Sequence, residues 1–156
     1  ERILVRLIDL TEADALHLLS KECPSFETEP FLSGPPLSAR RVALVTTAGI
    51  HRGDDARFDL RDTGYRVIAG DAGRDLVMSH TSVNFDRTGF QQDINVVFPL
   101  DRLHEQAAQG AIGSVAGFHY AFNGAGWEPH EIEDNAREIA GFMLRDKVDA
   151  AVVIPV

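Results

Sequence analysis

Between Ser79 and Leu103 the chain reads S-H-T-S-V-N-F-D-R-T-G-F-Q-Q-D-I-N-V-V-F-P-L-D-R-L, and its first half concentrates the groups that can do chemistry. His80 and Asp86 have the widest reach. A neutral imidazole with a carboxylate nearby can orient a substrate, act as a general base or ligate a metal. The same two residues can equally be a histidine donating to a backbone carbonyl and an aspartate capping a turn. Ser79, Thr81, Ser82 and Asn84 can hydrogen-bond a substrate carboxylate, or close Asx and Ser/Thr turns. Arg87 suits a carboxylate clamp, because its planar fork binds both oxygens; Asp86 and Asp93 are its alternative partners. So polar a segment is expected to run over the surface as a loop, since buried backbone needs hydrogen-bond partners.

The elements that must position this loop are legible around it. Arg41 to Thr47 is a nearly continuous apolar run, as in a central strand of a parallel sheet covered on both faces. Thr46, Thr47 and Gly49 fall at its end, where ligand sites form in open α/β sheets. Tyr65–Ile68 and Asp75–Met78 are short strand candidates, and the charged stretch from His51 to Gly64 reads as a surface excursion. Asp101 is expected to cap a helix from Arg102 to about Gln109, closed by Gly110. Ile112 to Asn123 is ambiguous, apolar and aromatic but punctuated by glycines. The longest helix begins near Pro129, with Ile132, Ala136, Ile139, Ala140, Met143 and Leu144 on one face. Asp149 to Val156 reads as a second apolar strand.

Ahead of these lies an arm, residues 1–40. Thr11 caps a helix running to about Lys21, and four prolines (Pro24, Pro30, Pro35 and Pro36) make the rest extended. Alternating strands and helices over 41–156 predict an α/β domain, three-layer and Rossmann-like, with a mostly parallel sheet. Its last strand halts where a functional loop is expected, which suggests a missing C-terminal continuation.

The remaining histidines are read as structural or solvated. His119 lies among aromatics as a packed residue, while His17, His104 and His130 lie on helical faces. His51 could face the crevice at the strand end but reads as a surface residue. A metal site drawing on His80 and His119 lacks H-x-x-x-H or C-x-x-C spacing. Gly49 and Gly53 make no G-x-G-x-x-G fingerprint, so no dinucleotide is expected.

Bulk properties narrow the partners. A net charge of −9 with scattered Arg and Lys argues against nucleic acid, which needs a clustered basic footprint. No apolar run approaches the ~18 residues that cross a bilayer. The first residues carry no signal-peptide pattern, so the expected location is cytoplasmic. A single cysteine, Cys23, excludes an internal disulfide and a multi-cysteine zinc site.

Four stretches together resemble the glycine/sarcosine/betaine and D-proline reductase family, in its selenoprotein B component. They are V-A-L-V-T-T-A-G-I (42–50), S-H-T-S-V-N-F-D-R (79–87) with N-V-V-F-P-L-D-R-L (95–103), G-A-I-G-S-V-A (110–116) and K-V-D-A-A-V-V-I-P-V (147–156). The resemblance implies an oxidoreductase that reductively cleaves a C–N bond of a small amino-acid-like substrate, using a thiol or selenol. It makes His80 and Asp86 the catalytic candidates. It also implies a Cys or selenocysteine motif just beyond the last strand, and no such residue stands there. This chain would then be the substrate-binding half, without a cofactor of its own, working with reductase subunits or as a homo-oligomer. A selenocysteine codon read as a stop after Val156 would account for such an end. The loop carries S-V-N-F where the family has a glycine-rich sequence, which leaves the substrate open. Two other classes fit the residues: a binding module for a small carboxylate or protein partner, and a metal-dependent lyase or racemase-like enzyme on His80 and Asp86.

Overall fold

The computed structural model describes residues 33–72 and 75–156. The helix and cysteine expected within residues 1–32 lie outside the described residues. What is described of the arm, from residue 33 on, is exposed chain around a 3-10 turn, Leu37–Ala39.

The apolar run at 41–47 forms β1 (Arg41–Thr46), and the rest of the sheet assembles on it. On one side it pairs in parallel, along its length, with β7 (Ala150–Ile154). On the other it pairs in parallel first with β5 (Ser114–Val115), then with β6 (Phe118–Phe122). β3 (Tyr65–Ala69) adds to β6 antiparallel, so the sheet is mixed and mostly parallel. The ambiguous segment 112–123 is thus one broken strand. Its register against β1 moves from Arg41↔Ser114 to Val45↔Tyr120, an offset of 73 becoming 75, so two extra residues bulge out.

The bulge would leave the Leu44 amide of a buried strand without a carbonyl to bond. His119 supplies the acceptor instead: Leu44 N–H donates to its Nδ1 at 2.9 Å. The bulge is held from outside by Asp146, whose carboxylate accepts from Gly117 N–H at 2.7 Å and from Arg41 at 2.7 Å. Burial acts to raise the Asp146 pKa, but those bonds outweigh it and leave it lowered.

Side chains alternate across the sheet and build a core on each face. Val42, Leu44 and Ala121 pack with Leu103 of α2 (Leu100–Ala108) and with Val97, Phe98 and Ile112. Tyr120 and Phe122 pack on the opposite side with Ile139 of α3 (Glu133–Arg145). α3 begins after a 3-10 turn, Pro129–Ile132, that carries a proline at its start and a capping box between Glu128 and Glu131.

Three expectations are corrected. The stretch after Gly49 is not simply a surface excursion: Ile50–Arg52 forms β2, paired antiparallel with β4 (Leu76–Met78) in a separate two-stranded sheet. His51 is therefore buried, at 1% exposure, rather than on the surface. Asp101 does not cap α2. Pro99 occupies that position, and Asp101 sits in the first turn accepting from Asn95. The long polar segment also has structure of its own, a short helix α1 (Thr88–Gln92) and a 3-10 turn (Ile94–Val96). Asp86, accepting from Thr88 N–H, and Asp93, accepting from Asn95 N–H, hold these turns locally, a pattern that reads as loop in sequence.

Full burial holds the His119 pKa down to about 4. The unfolded chain then binds the extra proton first as pH falls below about 6.5, so acid destabilises the fold in this window. Between pH 7 and pH 5 the loss from His119 is about 2 kcal/mol. His80, also lowered by burial, acts in the same direction. Urea unfolding at the two pH values is expected to show this difference, and His119→Gln to shrink it while weakening the protein at pH 7.

Candidate functional site

Because β1, β6 and β7 run parallel, their carboxyl ends lie together, and the loop after β4 arrives at the same place. The meeting point is Gly124. A Cβ there would lie 2.6 Å from the Val156 carbonyl oxygen, 2.9 Å from that of Thr47 and 3.1 Å from His80 Nε2. Thr47 knits the two strand ends: its hydroxyl accepts from Val156 N–H at 2.9 Å, and its N–H donates to the Ile154 carbonyl at 3.1 Å. Gly49, at φ +64°, turns the chain so that its N–H reaches Phe122 O and its carbonyl receives Ser79 N–H. Any side chain on Gly49 would collide with the His80 backbone at 2.9 Å. The left-handed turn and the close approach both require glycine.

His80 itself is buried, its ring packed on Phe85 at 4.9 Å between centroids. Ser82 N–H donates to Nδ1 at 3.2 Å, so the neutral ring carries its proton on Nε2. Burial lowers the His80 pKa and the Arg87 charge lowers it further, while the neighbouring Val156 carbonyl acts the other way. Nε2 makes no hydrogen bond of good geometry, the nearby Val156 carbonyl acting on it only weakly, and Gly124 stands against it. His80 is thus an uncharged imidazole with one unused N–H at the strand tips.

Asp86 is not beside it. Its exposed carboxylate is held by Thr88, whose side chain first and backbone N–H (2.9 Å) second lower its pKa, and this fixes the start of α1. No hydrogen bond or ion pair joins the two among the described residues. Arg87 is turned inward along the loop, donating to the carbonyls of His80 at 2.7 Å and Ser82 at 3.3 Å. Thr46 is wholly buried and its hydroxyl accepts from Ala48 N–H. Asn84 is exposed, donating its N–H to the Ser82 hydroxyl. Of the candidates, Thr47, Gly49, Ser79, His80 and Ser82 therefore gather at the strand tips, while Asp86 and Asn84 lie outward.

Two participants carry no signal that sequence reasoning used. Asn123 is fully buried and its side-chain amide ties three segments together. Nδ2 donates its two hydrogens to the carbonyls of Asp59 (3.1 Å) and Ala125 (3.0 Å), while Oδ1 accepts from Thr81 N–H (3.3 Å) and from the Thr81 hydroxyl (3.3 Å). Trp127 closes the turn by donating to the Asn123 carbonyl. Asn123-Gly124 follows a segment that did not read as a strand; once β6 is known, the strand-end rule points straight at it.

Among the described residues no cluster of His, Cys, Asp and Glu could hold a metal ion, and no helix is long and apolar enough to cross a membrane. An open hollow of about 410 Å³ lies at the other end of β6, lined by Val67, Phe118, Tyr120, Phe142, Arg145 and Asp146. Its charged groups are already engaged, Arg145 over Phe142 and Asp146 with Arg41. The strand tips remain the better site.

Residues 29–155 match the family of the glycine/sarcosine/betaine reductase selenoprotein B. The chain belongs to this family. It is 37% identical over 115 residues to a D-proline reductase subunit gamma of Acetoanaerobium sticklandii, covering 72% of this chain and 47% of that protein. It is 29% identical over 138 residues to a glycine reductase complex component B subunit gamma of Symbiobacterium thermophilum (83% and 32% covered). A betaine reductase complex component B subunit beta of Peptoclostridium acidaminophilum is 28% identical over 127 residues (75% and 28% covered). The chain spans less than half the length of each of these relatives. No solved structure matches it.

Gly124→Ala is expected to destabilise the fold by about 1–3 kcal/mol, since its neighbours are backbone carbonyls that cannot step aside. Asn123→Ala should cost about 2 kcal/mol or more by stranding buried acceptors. Asp86→Ala, which removes only an exposed turn bond, should cost about 1 kcal/mol. Denaturant unfolding of the three variants checks the order.

Proposed function

We propose that this selenoprotein B family chain forms the substrate-binding half of a reductase that cleaves the C–N bond of a small amino-acid-like carboxylate. The substrate class is that of glycine, sarcosine, betaine or D-proline, and the attacking thiol or selenol comes from outside these residues. The observation that carries this reading is the buried, unused Nε2–H of His80 at the joined carboxyl ends of β1, β6 and β7. Ligands bind at such strand ends in open α/β sheets.

In this reading the domain is a three-layer, Rossmann-like α/β unit, with α2 and α3 covering opposite faces of the sheet. The tautomer set by Ser82 makes His80 a hydrogen-bond donor toward a carboxylate or carbonyl oxygen, rather than the general base suggested by a neighbouring Asp. Because Gly124 covers that donor, the 123–127 turn has to shift when substrate enters. Thr47, Ser79 and Ser82 line the approach, and Arg87 acts through the His80 and Ser82 carbonyls that it holds. Asp86 serves by fixing the end of the loop. The partners are further subunits of a cytoplasmic reductase complex, or a second copy of the chain.

Titration of the isotope-labelled chain with each of the four substrates tests the proposal, because without the attacking thiol or selenol the ligand stays intact. Amide shifts are expected at Thr47, His80 and Gly124, with binding about tenfold weaker in His80→Gln, as for loss of one hydrogen bond to a charged group. Asp86→Ala should bind like the parent. Shifts confined to other surfaces, or no binding at millimolar substrate, would sink it.

A further inference from the structure

We propose that Ser79 is a base-activated hydroxyl, with His51 as its general base, able to take an acyl group from a small ester- or thioester-type donor. The reductase reading uses neither group in this way, and the inference does not rest on it. Ser79 Oγ lies 2.8 Å from His51 Nε2, and His51 Nδ1 lies 2.6 Å from the Arg52 carbonyl oxygen. A carbonyl can only accept, so Nδ1 holds the ring proton of the neutral imidazole. Nε2 is then the acceptor and the Ser79 hydroxyl donates to it. A nucleophile bonded to a base, whose far nitrogen is held by a third group, is the arrangement that activates serine. Here a backbone carbonyl takes the third place.

Accessibility and framing suit the role. His51 is 1% exposed, with Phe58 against its ring, whereas Ser79 is only half-buried. The base is shielded and the hydroxyl is the more reachable partner. Rigid pairing holds both: His51 sits in β2 opposite Val77 of β4, and Ser79 N–H, just past β4, donates to Gly49 O. The N–H of His80, one residue past Ser79, donates to no group among the described residues. Gly49 packs against that nitrogen without a side chain in the way, since a Cβ there would stand 2.9 Å from it. An unused amide directly after the nucleophile is placed to receive the oxyanion of an acyl-transfer intermediate.

The step balances without a redox partner. Ser79 Oγ forms a bond to the acyl carbon as its proton moves to His51 Nε2. The bond from that carbon to the leaving oxygen or sulfur breaks, and the leaving group takes the proton from His51. Water repeats the sequence to release the acid and restore the hydroxyl.

Diisopropyl fluorophosphate is the probe: Ser79 Oγ bonds to phosphorus, fluoride leaves, and His51 receives the proton. Peptide mapping by mass is expected to find the adduct on Ser79, forming far faster than any on Ser114 at the other end of the sheet. Ser79→Ala should abolish it, and His51→Gln should slow it at least about 100-fold, the usual weight of a positioned base. Circular dichroism and melting report whether each variant is folded. The comparison of Ser79 with Ser114 needs no variant, so it stands if His51→Gln does not fold. Labelling of Ser79 no faster than of Ser114, or undiminished in a folded His51→Gln protein, overturns the proposal.

Discussion

A buried central strand has two edges and two faces, and nothing in its surroundings can be left to water. β1 meets that constraint in full: β7 takes one edge, β5 and β6 share the other, and a core cluster lies on each side. Where the shared edge breaks, a ring nitrogen of His119 stands in for the missing carbonyl. An unpaired amide at that depth costs about 1–3 kcal/mol, comparable to a sizeable share of a domain's net stability. The bulge and the histidine are therefore one feature, and both reach the site, because the bulge sets where β6 ends.

From that ending the rest follows. Asn123 and Gly124 come off β6 at the level of Thr47 and Val156, and the loop after β4 is drawn in by Asn123 holding Thr81. The three buried histidines among the described residues are set by the same device, a backbone group bonded to Nδ1. In His80 and His119 an amide donates to that atom and leaves the proton on Nε2; in His51 a carbonyl accepts there and leaves Nε2 bare. One residue type thus supplies two donors and one acceptor, chosen by which backbone group meets Nδ1.

Much of the architecture was legible because it obeys periodicity. The apolar run at 41–47 and the closing apolar strand pair as expected, and the polar loop reaches the strand tips. Burial differs: of the face expected on the last helix Ile132, Ile139 and Met143 pack while Ala136, Ala140 and Leu144 are exposed, and β7 is largely exposed rather than a core strand. What escaped was set by non-local partners. The segment 112–123 carries glycines that a regular strand avoids, and only the bulge against β1 explains them. His51 comes two residues after a glycine and precedes charged residues, so it reads as surface, yet β4 pairs beside it through Val77, twenty-six residues downstream.

The amino-acid order alone determined the kind of protein: an α/β chain whose strand pattern and loop motifs place it in the selenoprotein B family, with His80 at its centre. Tertiary structure decided which neighbours that histidine has. Asp86 is close in sequence but spends its carboxylate on Thr88, because an aspartate two residues before an amide satisfies that amide at almost no entropic cost. Thr47, Gly124 and Val156 are distant in sequence yet surround the ring, because parallel strands bring their carboxyl ends to one side of a sheet. Side-chain chemistry is written residue by residue, whereas its protonation and company are set by backbone groups that only the folded chain delivers.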